Sequence, residues 1–489
     1  MVNSLSAREP AALIWCFAFG IAGIAMAFLY PDSYMQDGGQ HFLQSRWAWA
    51  HPPLFVSVWG RPLFTFLYAF PAVLGLKAAK LFTVAVCVAT AWQTWRLARE
   101  IKLDNAALII PILFLQPSFL LLCADTLTEP LFALIFVVAL RLHLGGRVAA
   151  GMLVAGTMIL VRPDGLFLGV LWGIWVLLDR RAARPWWRRI PITLLLATGM
   201  AAWWLAALVI TGDPLWILTD WPPDWKTQGL YGTGPIWSYA LKMPDVIGAL
   251  MLVPFALGLV LLLRRRTHGT MTSSFLCLFL LHSIMRAFAI FNEAGYARYF
   301  VCVAPATALI TLIGWNTISG WLARLPRIIR LALASAALLL SGLYALRYVD
   351  RIPFPRDPRA IDEMASWFTA HPRPFTRMIW SHQYMPVALD YDPWIEGVFS
   401  APRDPDDDRG ITKSYRLFWD RRDRNLAILR ATRPGTLVFW DDSYGKWFDI
   451  YPADFEAAGF TPLRSESYAL DGHFFRSWTR EMTLYLFYR

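Results

Sequence analysis

The stretch YPDSYMQDGGQHFLQ, residues 30–44, follows an apolar segment at 11–29 that is long enough to cross a membrane. Asp32 and Asp37 therefore emerge together at a membrane surface, where a protein can reach both a lipid phosphate and a molecule in water. Charged residues are also common at the ends of spans, so these acids taken alone fit an ordinary solvated loop equally well. The rest of the chain decides between the two interpretations.

The composition indicates a polytopic membrane protein. Hydrophobic residues make up 57% of the 489 residues and charged residues only 17%, which is far more apolar than a soluble chain of this length. The net charge of +11 would suggest a nucleic-acid partner in a soluble protein. Here the arginines lie in short segments between apolar spans, so they are signals of topology and we expect no nucleic-acid binding.

Eleven apolar segments are candidate transmembrane helices, near residues 11–29, 78–97, 105–122, 128–144, 148–161, 165–178, 190–210, 243–263, 271–291, 297–317 and 328–347. The basic residues between them fall on one side, which the positive-inside rule makes cytoplasmic. By alternation, the opposite compartment receives everything after 348 and the outer segments 30–77, 123–128, 162–165, 211–242 and 292–298. The alanine-, arginine- and tryptophan-rich composition is typical of a high-GC bacterium, which would make the membrane the inner membrane and the outer compartment the periplasm.

Two outer loops are rich in aromatic residues. The segment 51–75 is apolar and punctuated by proline, and we expect helices that lie along the membrane interface. A span at 62–76 would be short and would reverse the later topology against the arginine pattern. The loop 211–242 is rich in Trp, Pro and Gly, and it is either a substrate-facing loop or an interfacial anchor.

The composition changes after Asp350, where about 140 polar residues are long enough for a small domain. We expect a soluble α/β domain at 349–489, after a membrane domain at 1–348. Its pattern predicts helices at 361–369 and 453–459 and strands at 377–380, 436–440 and 482–488. We interpret the acidic segment 401–410 as an exposed loop. A calcium-binding loop is the alternative, but the segment lacks the glycine and the final glutamate that such loops need.

Ionisable residues recur at four places on the outer side. The four clusters are Asp32 and Asp37 with His41 and His51, then Asp125 and Glu129, then Arg162 and Asp164, and finally Glu293 and Arg298. Charges at the ends of packed spans are costly unless they are paired or functional. Four clusters on one side predict a shared polar cavity, with acids as bases or ligands and arginines for phosphate.

Several of these segments resemble motifs of the GT-C superfamily of membrane glycosyltransferases. The match at Pro31, Asp32, Tyr34 and Gln36 resembles the HPDEYFQ-type motif of the mannosyltransferases that use polyprenyl-phosphate mannose, with Tyr30 and Ser33 in place of His and Glu. The segments ADTLTEPLF from Ala124, RPDG from Arg162, and 293–305, an E-x-R-Y-x-x-P-like stretch, resemble further parts of the superfamily. The resemblance extends over residues 10 to about 310.

The resemblance implies an inverting glycosyltransferase that takes a sugar, mannose being favoured, from a polyprenyl-phosphate donor on the outer side of the membrane. By position, Asp32 would be the catalytic aspartate beside the acceptor hydroxyl, whereas Asp37 lies beyond the motif and reads as a turn residue next to two glycines. The substrate-binding candidates are Tyr34, Gln36, Asp37, Asp125, Glu129, Arg162, Glu293 and Arg298.

Physical reasoning assigns provisional roles to these residues. Arg298 and Arg162 are candidates for a phosphate clamp, although Arg162 has the alternative of pairing with Asp164. Asp125 and Glu129, four residues apart, would share a helix face and hold acceptor hydroxyls or a divalent ion, or would only cap the helix. The histidines, including His282 and His382, read as ordinary hydrogen-bonded residues, so we assign no metal triad and no certain cofactor.

Other classes of membrane protein share parts of this pattern. A polymerase or ligase of lipid-linked glycans has the same polytopic plan with a large outer loop. A flippase-type transporter should show paired, similarly broken halves, and the sequence has no such repeat. The acceptor expected from the sequence is a lipid-linked glycan or a protein.

Overall fold

The computed structural model of the chain describes residues 9–29, 36–178, 185–221, 231–352, 356–394, 422–472, 474–476 and 478–489. Helices account for most of this structure up to residue 351. Their bounds are α1 (Glu9–Leu29), α2 (Gln36–Trp47), α3 (Pro62–Ala72), α4 (Leu76–Glu100), α5 (Ile109–Phe114), α6 (Pro117–Leu122), α7 (Glu129–Leu144), α8 (Val148–Gly156), α9 (Asp164–Leu178), α10 (Ile190–Leu194), α11 (Thr198–Thr211), α12 (Trp216–Thr219), α13 (Ser238–Leu241), α14 (Met243–Ile247), α15 (Leu252–Arg265), α16 (Gly269–Ala287), α17 (Ala304–Trp321) and α18 (Arg327–Arg351).

Each predicted span coincides with helical structure, although several are divided. The segment at 105–122, for example, contains α5 and α6 separated at Leu115 and Gln116, because Pro117 has no N–H to continue the first helix and suits the first turn of the second. Within the residues that the structure describes, five helical segments are long and apolar enough to cross a membrane: Glu9–Phe28, Trp186–Thr211, Gly269–Ala287, Ala297–Arg324 and Arg327–Arg351. The predicted polytopic helical fold is confirmed, and the count of eleven spans stays a prediction.

Helices α15 and α17 pack with their backbones in contact. A Cβ atom at Gly258 would lie 1.9 Å from the carbonyl oxygen of Ile310, and one at Gly314 would lie 1.8 Å from that of Pro254. Only glycine fits at either position, and close backbone approach of this kind is a main source of stability between helices in lipid. The turn Ala297–Val303 runs directly into α17, so this helix pair fixes its position.

The first outer loop is helical, as predicted for 51–75. It contains the short turn Pro52–Val56 and helix α3, which exposes Phe66 and Phe70 as an interfacial helix would. Helix α2 was not predicted, because its sequence QDGGQHFLQSRW combines polar residues with two glycines and has little helix propensity. Tertiary packing stabilises α2 instead, since every residue from 38 to 45 is buried.

A four-stranded sheet forms the core of the C-terminal part. Its strands are β1 (Arg377–Trp380), β2 (Thr436–Asp441), β3 (Thr461–Asp471) and β4 (Thr479–Tyr488), in the order β1-β2-β4-β3. Strands β1 and β2 are parallel, while β4 is antiparallel to both β2 and β3. The helices of this part are α19 (Asp357–Ala370), α20 (Tyr384–Ala388), α21 (Arg422–Ala431) and α22 (Pro452–Ala457).

Side chains of β2 alternate between two buried faces of the sheet. Leu437 and Phe439 pack with α19 on one face, and Val438 and Trp440 pack with Phe455 of α22 on the other. The predicted helices at 361–369 and 453–459 and the three predicted strands are all present. Strand β3 was missed because its sequence TPLRSESYALD is largely polar and half exposed, and it is a strand because β4 pairs with it. The predicted loop at 401–410 lies outside the described residues.

The C-terminal part is fixed to the membrane helices at several points. Asp350, near the end of α18, accepts hydrogen bonds from the backbone N–H groups of Phe474 at 2.7 Å and Phe475 at 3.3 Å. Arg46 of α2 forms a bidentate pair with Asp390. These contacts hold the C-terminal part against one end of the helical part. The division into 1–348 and 349–489 stays a prediction, and α18 itself continues to Arg351.

Candidate functional site

A cavity of about 510 Å³ lies between the membrane helices and the C-terminal part. All four predicted outer clusters contribute to its wall. The acidic, basic and histidine side chains in its lining are Asp37, His41, Arg61, Glu129, Arg162, Asp164, His282, Glu293 and Arg298. This convergence is compatible with the predicted topology, which places the four clusters in separate segments on one side of the membrane.

Arg162 is held at one end of the cavity by two carboxylates. Its Nη1 lies 3.0 Å from Glu129 Oε1, and its Nε donates to Asp164 Oδ2 at 2.8 Å. The bend that presents this side chain depends on Gly165, because a Cβ there would lie 2.4 Å from the backbone N of Ile159. The alternative interpretation of Arg162, pairing with Asp164, is thus realised, with Glu129 as a second partner.

His282 connects two acids at the centre of the cavity. In α16, its Nε2 lies 3.1 Å from Asp164 Oδ1 and its Nδ1 lies 3.0 Å from Glu293 Oε2. Glu293 also accepts hydrogen bonds from the Tyr239 hydroxyl and, at 3.2 Å, from the N–H of Gly295. The sequence interpretation of His282 as an ordinary residue missed this role, and the available signal was an ionisable residue inside an apolar span.

Arg298 contributes a guanidinium to the cavity wall, and some of its N–H donors are not used in hydrogen bonds to the described residues. Its Nη2 donates to Asp37 Oδ2, and its Nε lies 3.8 Å from Glu129 Oε1. The guanidinium lies over the ring of Tyr296 at 4.9 Å, which fixes its plane. Neither Nη1 nor Nε has a hydrogen-bond partner among the described residues, although the side chain is only 8% exposed. A buried guanidinium with unused hydrogen-bond donors is suited to binding an anionic ligand.

The structure corrects the predicted environment of Asp37. It lies in the first turn of α2 and not in an isolated turn next to glycines. The positive end of a helix dipole and the Arg298 guanidinium both attract its carboxylate. Asp37 is therefore placed to orient Arg298.

Asp125 and Glu129 do not share a helix face, contrary to the prediction. Helix α7 begins only at Glu129, because Pro130 suits its first turn, and Asp125 precedes it in a turn. Asp125 accepts a hydrogen bond from the N–H of Thr126 at 2.7 Å, and the Thr126 hydroxyl donates to the Gly38 carbonyl at 2.8 Å. Asp125 thus supports the start of α2 and does not line the cavity.

His51 is also placed differently from the prediction. Its Nε2 lies 2.9 Å from Asp392 Oδ2, so it joins the first outer loop to the C-terminal part and does not line the cavity. Asp32 and Tyr34 lie outside the described residues, as does the side chain of Gln36. In the ranges that the structure describes, no group of three His, Cys, Asp or Glu side chains is arranged to hold a metal ion.

Two buried basic residues also line the cavity: His41 belongs to the first predicted cluster, whereas Arg61 was not predicted. Arg61 has a left-handed backbone conformation with φ of 64°, which is unusual for a residue other than glycine and is found most often at functional sites. His41 is buried, and burial together with the nearby charge of Arg61 lowers its pKa to about 3. His41 is therefore a neutral hydrogen-bonding group at physiological pH.

The C-terminal part covers the cavity with aromatic side chains. Tyr444 and Trp447 line it together with Gln383, and the Trp447 ring meets that of Tyr231 edge to face at 6.3 Å. The buried carboxylate of Asp441 accepts the N–H of Tyr444 at 2.8 Å and so holds the loop that carries these rings. This contribution was not predicted, because Tyr444 and Trp447 follow a strand more than 140 positions after Arg298.

Comparison with known proteins agrees with this architecture. No family model matches the chain, and no curated protein matches it. A crystal structure of ArnT from Cupriavidus metallidurans bound to undecaprenyl phosphate superposes with a TM-score of 0.62 at 13% identity, covering 97% of both chains. The chain has a GT-C fold. The apo structure of the same ArnT gives a TM-score of 0.56 at 14% identity, covering 97% of this chain and 98% of that one. The similarity extends through the C-terminal sheet, beyond the region in which the sequence motifs resemble the superfamily.

Proposed function

We propose that this chain is an inverting glycosyltransferase that transfers a hexose, with mannose favoured, from a polyprenyl-phosphate donor to a lipid-linked glycan or protein acceptor. The active site would face the periplasm from a bacterial inner membrane. The preference for mannose rests on the motif at Pro31, Asp32, Tyr34 and Gln36 alone.

The observation that carries the proposal is the environment of Arg298. A buried guanidinium with spare donors faces a cavity that also contains Asp37, Glu129 and Glu293. Transfer from a sugar phosphate needs a cation that binds the phosphate and a base that takes the proton of the acceptor hydroxyl. This cavity offers both kinds of group. In support, a solved structure of the same fold is bound to undecaprenyl phosphate.

The proposed reaction is a single displacement at the anomeric carbon. An acceptor oxygen forms the new bond to that carbon, the bond to the phosphate oxygen breaks, and polyprenyl phosphate leaves with the electron pair. Asp32 takes the acceptor proton as general base. Arg298 stabilises the negative charge that grows on the departing phosphate.

The two candidate arginines would have different roles. Arg162 is already engaged by Glu129 and Asp164, so its charge is compensated and it would mainly position those acids. Arg298 is held most closely by the half-exposed carboxylate of Asp37, which can yield to a phosphate, and its second acid, Glu129 at 3.8 Å, is shared with Arg162. We therefore assign the clamp to Arg298.

The acceptor would bind between the clamp and the C-terminal part. Tyr444 and Trp447 offer ring faces for stacking on a sugar, and the Gln383 amide can donate and accept hydrogen bonds to hydroxyl groups. The C-terminal part would thereby select the acceptor, while the membrane helices bind the donor.

A transfer assay in proteoliposomes tests the proposal. Radiolabelled polyprenyl-phosphate mannose and a bacterial lipid extract serve as donor and acceptor, and labelled product is separated from the donor. We expect transfer by the wild-type protein and none by the Asp32→Asn variant. Movement of intact donor across the bilayer without bond cleavage would identify a flippase and refute the proposal.

A further inference from the structure

A second cavity, of about 460 Å³, lies where the outer end of α18 meets the C-terminal part. Its wall is formed by Tyr344, Arg347, Tyr348, Arg351 and Trp478. The first four residues are spaced three or four apart in pairs along one helix, so they share a face of α18. Trp478 comes from the C-terminal part and completes the lining, with its indole N–H donating to the carbonyl of Asp350.

This cavity carries an excess of positive charge. Arg351 Nη2 lies 2.7 Å from Asp245 Oδ1, and the same oxygen accepts the Tyr344 hydroxyl at 3.0 Å. Asp245 thus compensates one of the two arginines. Arg347 is exposed and has neither an ion pair nor a hydrogen bond within the part of the chain that the structure describes. The cavity therefore keeps one full cationic charge for a ligand.

The surface next to the cavity is apolar. On α18, Leu339 is 69% exposed and Leu343 is 51% exposed, about two turns and one turn before Arg347. Arginines at the end of an apolar helix can simply extend towards water. That simpler account leaves out the groove that these arginines line together with three aromatic side chains, those of Tyr344, Tyr348 and Trp478. A lipid fits both features, with its tail along the leucines and its head between the arginines.

We propose that this cavity binds the phosphate headgroup of a membrane lipid, with Arg347 and Arg351 as the cationic ligands. Tyr348 lines this cavity and also the main cavity, so the two lie on either side of one aromatic ring. A lipid phosphate held here would lie at the edge of the main cavity, on the route between it and the bilayer. The binding itself does not depend on the proposed transferase reaction.

Native mass spectrometry of the detergent-solubilised full chain with undecaprenyl phosphate tests this inference. We expect two bound equivalents on the wild-type protein and one on the Arg347→Ala/Arg351→Ala variant. Each arginine near a lipid headgroup contributes roughly a fivefold gain in affinity, so the double variant should lose about thirtyfold at this site. The matched control is Arg327→Ala/Arg330→Ala, at the other end of the same helix, which should bind as the wild type does.

Further variants and competitors separate the possible outcomes. Arg347→Gln alone leaves the Arg351–Asp245 pair intact and should lose about fivefold without a change in thermal unfolding, which guards against a folding defect. Arg298→Ala should abolish binding of the lipid in the main cavity and leave one bound equivalent. If Arg298→Ala still binds two equivalents while Arg347→Ala/Arg351→Ala binds one, the proposed function fails and this inference stands. Competition by phosphatidylglycerol would identify an ordinary phospholipid as the occupant, and its absence would point to the polyprenyl lipid. The inference is overturned if the double variant still binds two equivalents, or if inorganic phosphate competes as well as either lipid.

Discussion

Replacement of Arg298 by lysine should reduce transfer strongly while the protein stays folded. Lysine keeps the positive charge but loses the planar donor fork and its contact with the ring of Tyr296, at 4.9 Å. A hydrogen bond to a charged group contributes about 1.5–3 kcal/mol, and a desolvated cation–π contact contributes about 1–2 kcal/mol. Together we expect a loss of about 3 kcal/mol of transition-state stabilisation, which is roughly a hundredfold decrease in kcat/KM.

The effect on stability should be much smaller than the effect on rate. Glu129 retains its ion pair with Arg162 at 3.0 Å, so no carboxylate is left buried without a cation. The assay is transfer of labelled mannose from polyprenyl-phosphate mannose in proteoliposomes, with kcat/KM measured for the donor. The matched control is Arg46→Lys, which alters a bidentate pair with Asp390 away from the cavity and should change kcat/KM less than about threefold. An Arg298→Lys protein with wild-type kcat/KM would refute the assignment of the clamp.

Three further predictions concern the acids and histidines of the site. Asp32→Asn should lower kcat by about a hundred- to ten-thousandfold while donor binding stays intact. Asp37→Asn is the control and should retain more activity. If Asp37→Asn were the less active variant in the transfer assay, the general base would be Asp37. His282→Leu should lower the free energy of unfolding by about 2 kcal/mol, because Asp164 and Glu293 lose their shared partner; unchanged equilibrium unfolding in mixed micelles would contradict this role. The pKa of His41 is lowered to about 3 in the fold, so the unfolded chain binds more protons between about pH 6.5 and 3 and acidification over this range should destabilise the protein. His41→Gln should make thermal unfolding less sensitive to pH there, and an identical pH profile would count against the burial of this residue.

The helical architecture was largely predictable because apolar segments of membrane length carry a strong local signal. The segment at 271–291, for instance, corresponds to α16 at Gly269–Ala287. Helix α2 could not be predicted, since it depends on contacts such as that of Gly38 with the Thr126 hydroxyl, 88 residues away. Strand β3 was missed for a similar reason, because its polar sequence becomes a strand only when β4 pairs with it.

The sequence predicted which residues lie on the same side of the membrane, and it did not predict which of their side chains are in contact. The sequence brought Glu129, Arg162 and Arg298 to one side of the membrane, and the structure places all three in one cavity wall. It could not distinguish Arg162, which two acids compensate, from Arg298, which keeps free donors, because that difference depends on distances between separate helices. The contributions of His282 and Tyr444 were missed for the same physical reason.

A cryo-EM structure of the wild-type protein with undecaprenyl phosphate in nanodiscs tests the central claim most directly. We expect phosphate density in the main cavity at about 3 Å from Arg298, with Nη1 or Nε as donor and the contact to Asp37 released or shared. A structure with the lipid phosphate ordered elsewhere, while the main cavity contains none and Arg298 keeps its pair with Asp37 unchanged, would contradict the account.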